Sequence, residues 1–499
     1  MQQKIINFLA SKRCFYAIVG LLIAQATWIA LSGRYPMAFD EDFHFGIIRL
    51  YAHHLSPFWA SQPANADAFG AVSRDPSYLY QYLMSFPYRL ISLFTHNQTV
   101  QVIILRFINI GLFASSLPLY QRLLLRAKAS PALVHGILFG FVLIPIVPLL
   151  AGQINYDNLF LPLVAWTLLL ALRLSDELRR TKQFNLQLFG GLLILCLLAS
   201  LVKYAFLPIF AGLLVFLAVF LLRTIPFALL WSDIQRGFGA IAGRTRWILV
   251  LGLLISAGLF GERYGINLVR YHEPVPDCGQ VLSVDHCSSY GPWIRDYHYA
   301  AAKADVSANP IIYTGQWFHG MWLRLFFAVS GPVTNFATRG PLLLPAVGSI
   351  VLAVIGLGLA IYRWPTIWKR YDKTLLLLIL VVSISYVAAL WLDEYREYLH
   401  TGVPVAINGR YLLPVLPFFM LLCVLGFKES LKSWRSIRFA VAVAACCCFV
   451  AGGGVLTFIV RAEDGWYWQN QPVIDVNHAA QKVLKPAIPG SKNPVQFLF

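Results

Sequence analysis

Apolar runs of about 20 residues recur from one end of this 499-residue chain to the other. Each is the length an α-helix needs to cross roughly 30 Å of hydrocarbon at about 1.5 Å per residue. The runs are continuous, whereas a transmembrane β-barrel alternates apolar and polar residues in short segments. Only 13% of the residues are charged and the mean hydropathy is +0.64, which excludes an ordinary soluble domain. The expected fold class is an all-α polytopic membrane protein forming one transmembrane domain over residues 1–499.

A net charge of +17 invites a nucleic-acid reading, but its distribution argues against one. The basic residues gather in short loops: Lys12 and Arg13, Arg122 to Lys128, Arg173 to Lys182, Arg223 to Arg246, Arg363 to Lys373 and Lys428 to Arg438. Basic short loops mark the cytoplasmic side of a membrane protein. Threading the chain on that rule gives about eleven spans. They are Cys14–Leu31, Val100–Tyr120, Pro131–Leu150, Leu159–Leu174, a fifth ending near "LASLVKYAF" and a sixth returning before Trp247. The remainder are Trp247–Gly261, Leu342–Tyr362, Leu375–Leu392, a tenth from "YLLPVLPFF" and Phe439–Val460. The first run lacks a clean small-residue cleavage site and reads as a retained helix.

Every acidic or mixed polar cluster then falls outside. They are Asp40–His44 in a first external loop (34–99), Asp157 in the "AGQINYDN" turn, Lys203, Cys278–His298 in a long loop (265–340) and Asp393–Arg410 in "DEYREYLHTGVPVAINGRY"; the chain then leaves an external tail (461–499). Cys278 and Cys287 sit in the long loop and are expected to pair in an oxidising compartment, restraining it by about 2–3 kcal/mol. Trp466, Tyr467 and Trp468 are expected to anchor the tail at the interface.

The stretch "FDEDFHF" places Asp40, Glu41, Asp42 and His44 at the mouth of the first span. Carboxylates there are costly unless solvated or engaged, so they are functional candidates. A helical continuation puts Asp40 and His44 on one face, and repulsion among adjacent carboxylates can raise one pKa toward that of a general base. Marking the water interface is their plainer explanation.

"FDEDFHFG" resembles the Asp-Glu motif after the first transmembrane helix of the GT-C superfamily, whose members use polyprenyl-phosphate sugars. It is similar to the "FDE-x-HFG" form of the protein O-mannosyltransferases, with one residue more. "SRDPSYLYQYLMS" resembles their "HPPLYYLL" segment, with Asp75-Pro76-Ser77 in place of His-Pro-Pro. "LVKYAFLPI" and "NGRYLLPVLP" resemble segments of bacterial GT-C-like membrane proteins. The resemblance implies a GT-C-type helical bundle with amphipathic helices in the first external loop. It also implies an inverting glycosyltransferase that moves a sugar from a polyprenyl-phosphate donor to an envelope glycan, lipid or protein acceptor. The active site would face the outside of a bacterial cytoplasmic membrane.

On that reading Asp40 is the base, with Glu41 beside it and His44 on the same face. The departing lipid phosphate calls for cations, and Lys203 and Arg410 are the candidates, with Arg270 and Arg396 behind them. Snorkelling and helix capping are their plainer roles. Arg74 joins them if the first loop folds back over the site. Asp157 is a substrate-positioning candidate, although a tight Asn-Tyr-Asp-Asn turn uses such residues anyway. Asp40 and Asp157 together have the oxygen chemistry of a divalent-cation site. The resemblance, however, implies a metal-independent reaction, so no divalent cation is assigned to them. A transporter or flippase of lipid-linked or anionic solutes is the alternative, as is a glycan polymerase or ligase.

Overall fold

The computed structural model describes residues 2–224, 226–303, 309–326, 328–329, 338–339, 342–405 and 407–488. Parts of the long loop (304–308 and 330–337) and the end of the tail (489–499) lie outside the described residues. The described chain is almost wholly helical. A two-residue antiparallel pair, Ala328–Val329 with Thr338–Arg339, is its one ladder among these residues.

Seven helices are long and apolar enough to cross a membrane: Lys12–Ser32, Gln98–Arg126, Asp157–Thr181, Phe206–Thr224, Gly243–Tyr271, Leu344–Tyr362 and Lys373–Thr401. Only 6% of the apolar window of Gly243–Tyr271 is buried within the protein, so nearly all of its apolar face points outward, as a lipid surrounding requires. This is a multi-pass helical membrane protein.

The other expected spans take different forms. Pro131–Val142 stops and resumes as Ile146–Ala151, while Leu186–Val202 is 17 residues long. The tenth starts late, because Gly409–Leu412 makes a 3-10 turn before the Leu416–Ser430 helix. The last is a pair, Arg435–Val450 and Val455–Arg461, bent by 44°.

The two broken spans satisfy one another. Gly454 N donates to Leu143 O at 2.5 Å, and Gln25 donates to Val142 O at 3.2 Å while accepting from Val455 N at 2.9 Å. Backbone groups freed inside a bilayer must find such partners. Gly454 has φ +59°, and a Cβ there would lie 1.8 Å from the Gln25 amide oxygen, so a side chain is excluded. Elsewhere Gly426 lets Leu416–Ser430 touch Leu343–Tyr362 backbone to backbone, since its Cβ would lie 2.5 Å from Gly356 O.

Gln98–Arg126 packs along Asp157–Thr181, which packs in turn on Leu186–Val202 and Phe206–Thr224; Lys373–Thr401 closes against Phe206–Thr224. The first loop folds into two helices, Glu41–Ala52 and Leu79–Ser92, packed on each other. Arg89 ties them by donating to Tyr51 O at 2.5 Å and His54 O at 2.7 Å. Leu83, Phe86 and Leu90 stay exposed on the second helix, forming the apolar face of an interfacial element.

The tail differs from expectation. Trp466 and Tyr467 are buried, with Arg34 N donating to Trp466 O and Trp468 N to Ser32 O. Their apolar surface closes the end of the first span instead of meeting lipid. Cys278 and Cys287 are joined as a disulfide.

Candidate functional site

The ends of Lys12–Ser32, Asp157–Thr181, Leu186–Val202 and Lys373–Thr401 that lie away from the basic loops gather Asp40, Asp157, Lys203 and Arg410. Asp40 caps the start of Glu41–Ala52 on a left-handed turn, with φ 69° at Phe39 and 70° at Asp40. Such a conformation persists in non-glycine residues only when the surroundings hold it. Here Phe39 O accepts from Asn155 Nδ2 at 2.9 Å and from Arg410 at 3.1 Å.

Arg410 also donates to Asp40 Oδ2 at 2.6 Å. The Arg410 side chain is 5% exposed, whereas that of Asp40 is 46% exposed. The pair therefore lines an open recess, cation in the wall and carboxylate toward the solvent. Burial disfavours the Asp40 charge, but the charge and hydrogen bond of Arg410 outweigh it, with smaller help from His44 and Lys203. The carboxyl is held below its ordinary range.

Glu41 lies elsewhere. It is fully buried, and both oxygens are engaged by Arg106 at 2.8 and 2.7 Å, with Met37 N at 2.8 Å and Ile154 N at 3.1 Å. Arg106 also donates to Ala30 O and Gly33 O at 2.9 and 2.6 Å. This pair bolts the first span, the Glu41–Ala52 helix and the Gln153–Asn158 turn to the Gln98–Arg126 helix.

Lys203 ends the Leu186–Val202 helix and donates to Asp157 at 2.6 Å, both side chains about as buried as core residues. Its ammonium stands 4.5, 4.9 and 5.5 Å from the rings of Tyr156, Tyr411 and Phe160. An aromatic cage of this kind stabilises a desolvated cation. The second Asp157 oxygen is buried without a partner among the described residues. Tyr411 joins this pair to the first, because Arg410 donates to its hydroxyl at 3.3 Å.

His44 is buried below the turn. With the Gln81 amide oriented to donate to Ser77 O and Tyr78 O, its oxygen accepts from His44 Nδ1 at 3.1 Å. The other ring nitrogen, Nε2, is then an acceptor, buried and without a partner among the described residues. Burial pushes the imidazole pKa down to about 3, and Arg410 and Lys203 reinforce this against Asp40, so His44 is neutral.

The remaining candidates lie apart from the Asp40 pair. Arg74 is ion-paired with Glu262 at 2.5 Å. Arg270 is exposed on the Ile266–Tyr271 helix, and Arg396 is exposed near Asp393. Among the described residues, no three His, Cys, Asp or Glu side chains are gathered as a metal ion would require.

Several residues of the site were not singled out from the sequence. Arg106 and Asn109 stand inside an apolar run, where ionisable and amide side chains are themselves a signal. Asn109 Oδ1 accepts from Tyr80 at 2.7 Å and Asn158 at 2.9 Å, holding the Asn155–Asn158 turn in place. Tyr156 and Tyr411 carry no comparable signal, because aromatics are common near membrane interfaces.

No protein-family model, curated protein or solved structure matches this chain.

Proposed function

We propose that the protein is an inverting glycosyltransferase of GT-C type. It has about eleven spans, counting the broken and short helices, and works at the outer face of a bacterial cytoplasmic membrane. The observation that carries this reading is the Asp40–Arg410 pair: an accessible carboxylate gripped by a buried cation at the mouth of a membrane recess.

The donor is a polyprenyl-phosphate sugar. An acceptor hydroxyl, on an envelope glycan, lipid or protein, attacks the anomeric carbon while its proton passes to Asp40. The bond from that carbon to the phosphate oxygen breaks, and the electron pair leaves with the lipid phosphate. Arg410 stabilises that oxyanion, and inversion follows from attack opposite the leaving group. Arg410 has a double task in this scheme. In the free protein it keeps Asp40 ionised. As it turns to the phosphate it releases Asp40, whose affinity for a proton rises when the proton must be taken.

Glu41 is a positioning residue in this scheme, since both of its oxygens are engaged by Arg106 and backbone amides. Lys203, caged and paired with Asp157, supplies positive potential to the recess without leaving its place. Arg74, Arg270 and Arg396 have no role in the chemical step.

The broken spans around Gln25 favour a second reading, a transporter or flippase, because such breaks often mark substrate paths. That pathway would want charge at mid-membrane, whereas the breaks meet through an amide and backbone groups. The deciding experiment is mass spectrometry of envelope lipids and glycans in wild-type, deletion and Asp40→Asn cells at matched protein levels. Loss of one sugar-sized mass in both the deletion and the variant supports the transferase. An unaltered lipid-linked precursor accumulating in the deletion would move transport or polymerisation ahead.

A further inference from the structure

The proposed transfer leaves one carboxyl of the first loop unused. Asp75 lies in the Ser73–Ser77 segment, which is tied to the membrane bundle on both sides of it. Arg263, on the helix Gly261–Gly265, donates to Ser73 O, and Ser77 Oγ accepts from Tyr204 N at 3.0 Å. Tyr204 directly follows the caged Lys203. The carboxyl is thus fixed beside the turn that presents Lys203 to the recess.

One Asp75 oxygen accepts from Ser77 N at 2.8 Å. The other has no hydrogen-bond partner among the described residues, and it is not enclosed. The surroundings show where it faces. Tyr204 is 40% exposed beside it, and Tyr290 lies within electrostatic range of both Asp75 and Asp40. The Tyr290 ring is 6.2 Å from Phe43, one turn into the helix that Asp40 caps. Asp75 and Asp40 therefore belong to one neighbourhood of the recess, which they share with Tyr204, Tyr290 and Tyr411.

The chemistry of this wall selects among ligands. A carboxylate repels a phosphate, so the lipid phosphate belongs on the Arg410 side. Among the described residues no group of three His, Cys, Asp or Glu side chains gathers here to hold a cation. A carboxyl with one free oxygen, set among phenol rings, suits a polyhydroxylated ring: hydroxyls bond to the oxygen and C–H faces lie on the aromatics.

We infer that Asp75 is the acceptor-recognition residue of the recess, holding the hydroxyls of a sugar-bearing acceptor so that one of them faces Asp40. This rests on the transferase reading and names the acceptor as a carbohydrate rather than a protein side chain. Burial lifts the Asp75 carboxyl above its ordinary range, only partly offset by the Ser77 amide and Arg263.

The test uses purified wild-type protein in detergent and needs no turnover. A water-soluble carbodiimide modifies accessible carboxyls, and peptide mass spectrometry reads Asp75 directly. A panel of methyl glycosides of hexoses and pentoses is one arm, and polyprenyl monophosphate is the other. The expected result is modification of Asp75, slowed roughly tenfold by at least one glycoside at a concentration roughly ten times its Kd, and unchanged by the lipid phosphate. An unreactive Asp75, no protection by any glycoside, or protection by the lipid phosphate would each overturn the assignment. Failure of the transferase reading shows separately, as an unchanged envelope glycan profile on deletion.

Discussion

Arg410 donates to the Asp40 carboxylate at 2.6 Å although 370 residues separate them in sequence. A carboxylate nearly half exposed would not need so buried a partner for stability alone. The pair joins the end of the first span to the turn before Leu416–Ser430, and each residue constrains what the other can do.

Asp40→Asn removes the proton acceptor while leaving an oxygen for Arg410. Transfer is expected to fall about 10²- to 10⁴-fold in an assay with envelope extract, with the melting temperature in detergent almost unchanged. Because Arg410 holds Asp40 of the free protein below the usual carboxylate range, the wild-type kcat/KM should persist with falling pH to below about pH 4. An acid limb of kcat/KM nearer pH 6 would contradict the assignment of Asp40 as base. Arg410→Lys cannot reach Asp40 and Phe39 O together and is expected to lose about tenfold or more.

The Glu41–Arg106 pair governs stability. Glu41→Gln leaves a fully buried guanidinium without its counter-charge, which costs about 3–5 kcal/mol. A large loss of thermal stability in detergent is the expected readout. Replacing both residues with apolar ones should cost less than the sum of the two single changes, because neither variant charge is then stranded. Additive losses would mean that the two side chains do not form one unit.

His44 sets a pH dependence of folding. The folded imidazole titrates at about 3 and the unfolded one near 6.5, so below that higher value the unfolded chain takes up a proton that the folded chain refuses. Stability due to His44 is present above pH 6.5 and is lost as the pH falls, by about 1.4 kcal/mol per unit. Between about pH 6 and pH 4 the melting temperature of His44→Gln should decline less steeply than that of wild type. Parallel curves for the two proteins would show that His44 titrates normally.

The helical membrane class was legible because apolar runs of spanning length have one common solution. So were the carboxylates and cations at the helix ends, since charge beside an apolar run stands out. The partition between Asp40 and Glu41 was not. Two adjacent acids look alike in sequence, and their separation depends on two left-handed residues, Phe39 and Asp40, whose conformation is imposed by Asn155 and Arg410 from far along the chain. The broken spans escaped for a related reason: hydropathy averages across a break, while the partners that tolerate it, Gln25 and Leu143, lie in other helices.

Asp75 has the opposite pH signature to His44. Its folded pKa is raised above the ordinary 3.8, so as pH rises through that window the unfolded chain releases a proton that the folded chain retains, and stability falls. Asp75→Asn is therefore expected to melt higher than wild type at neutral pH, with the difference vanishing toward pH 3. A group kept at a cost to folding is what a binding wall requires. A variant that melts lower at neutral pH would show that Asp75 is a structural support.

The bolt of Glu41 and Arg106 also has a bearing on biosynthesis. Every hydrogen-bond partner that fixes it lies within the first 154 positions, and only the Trp468 ring, 5.3 Å from the Arg106 guanidinium, is added from the tail. Arg410 emerges from the ribosome long afterwards. In a chain inserted from its N-terminus, the carboxylate turn can be scaffolded while most of the protein is still unmade, yet it gains its cation only near the end of translation. A truncated chain would carry the Asp40 carboxylate without its counter-charge, and the pair at the helix ends is complete only once the last spans are made.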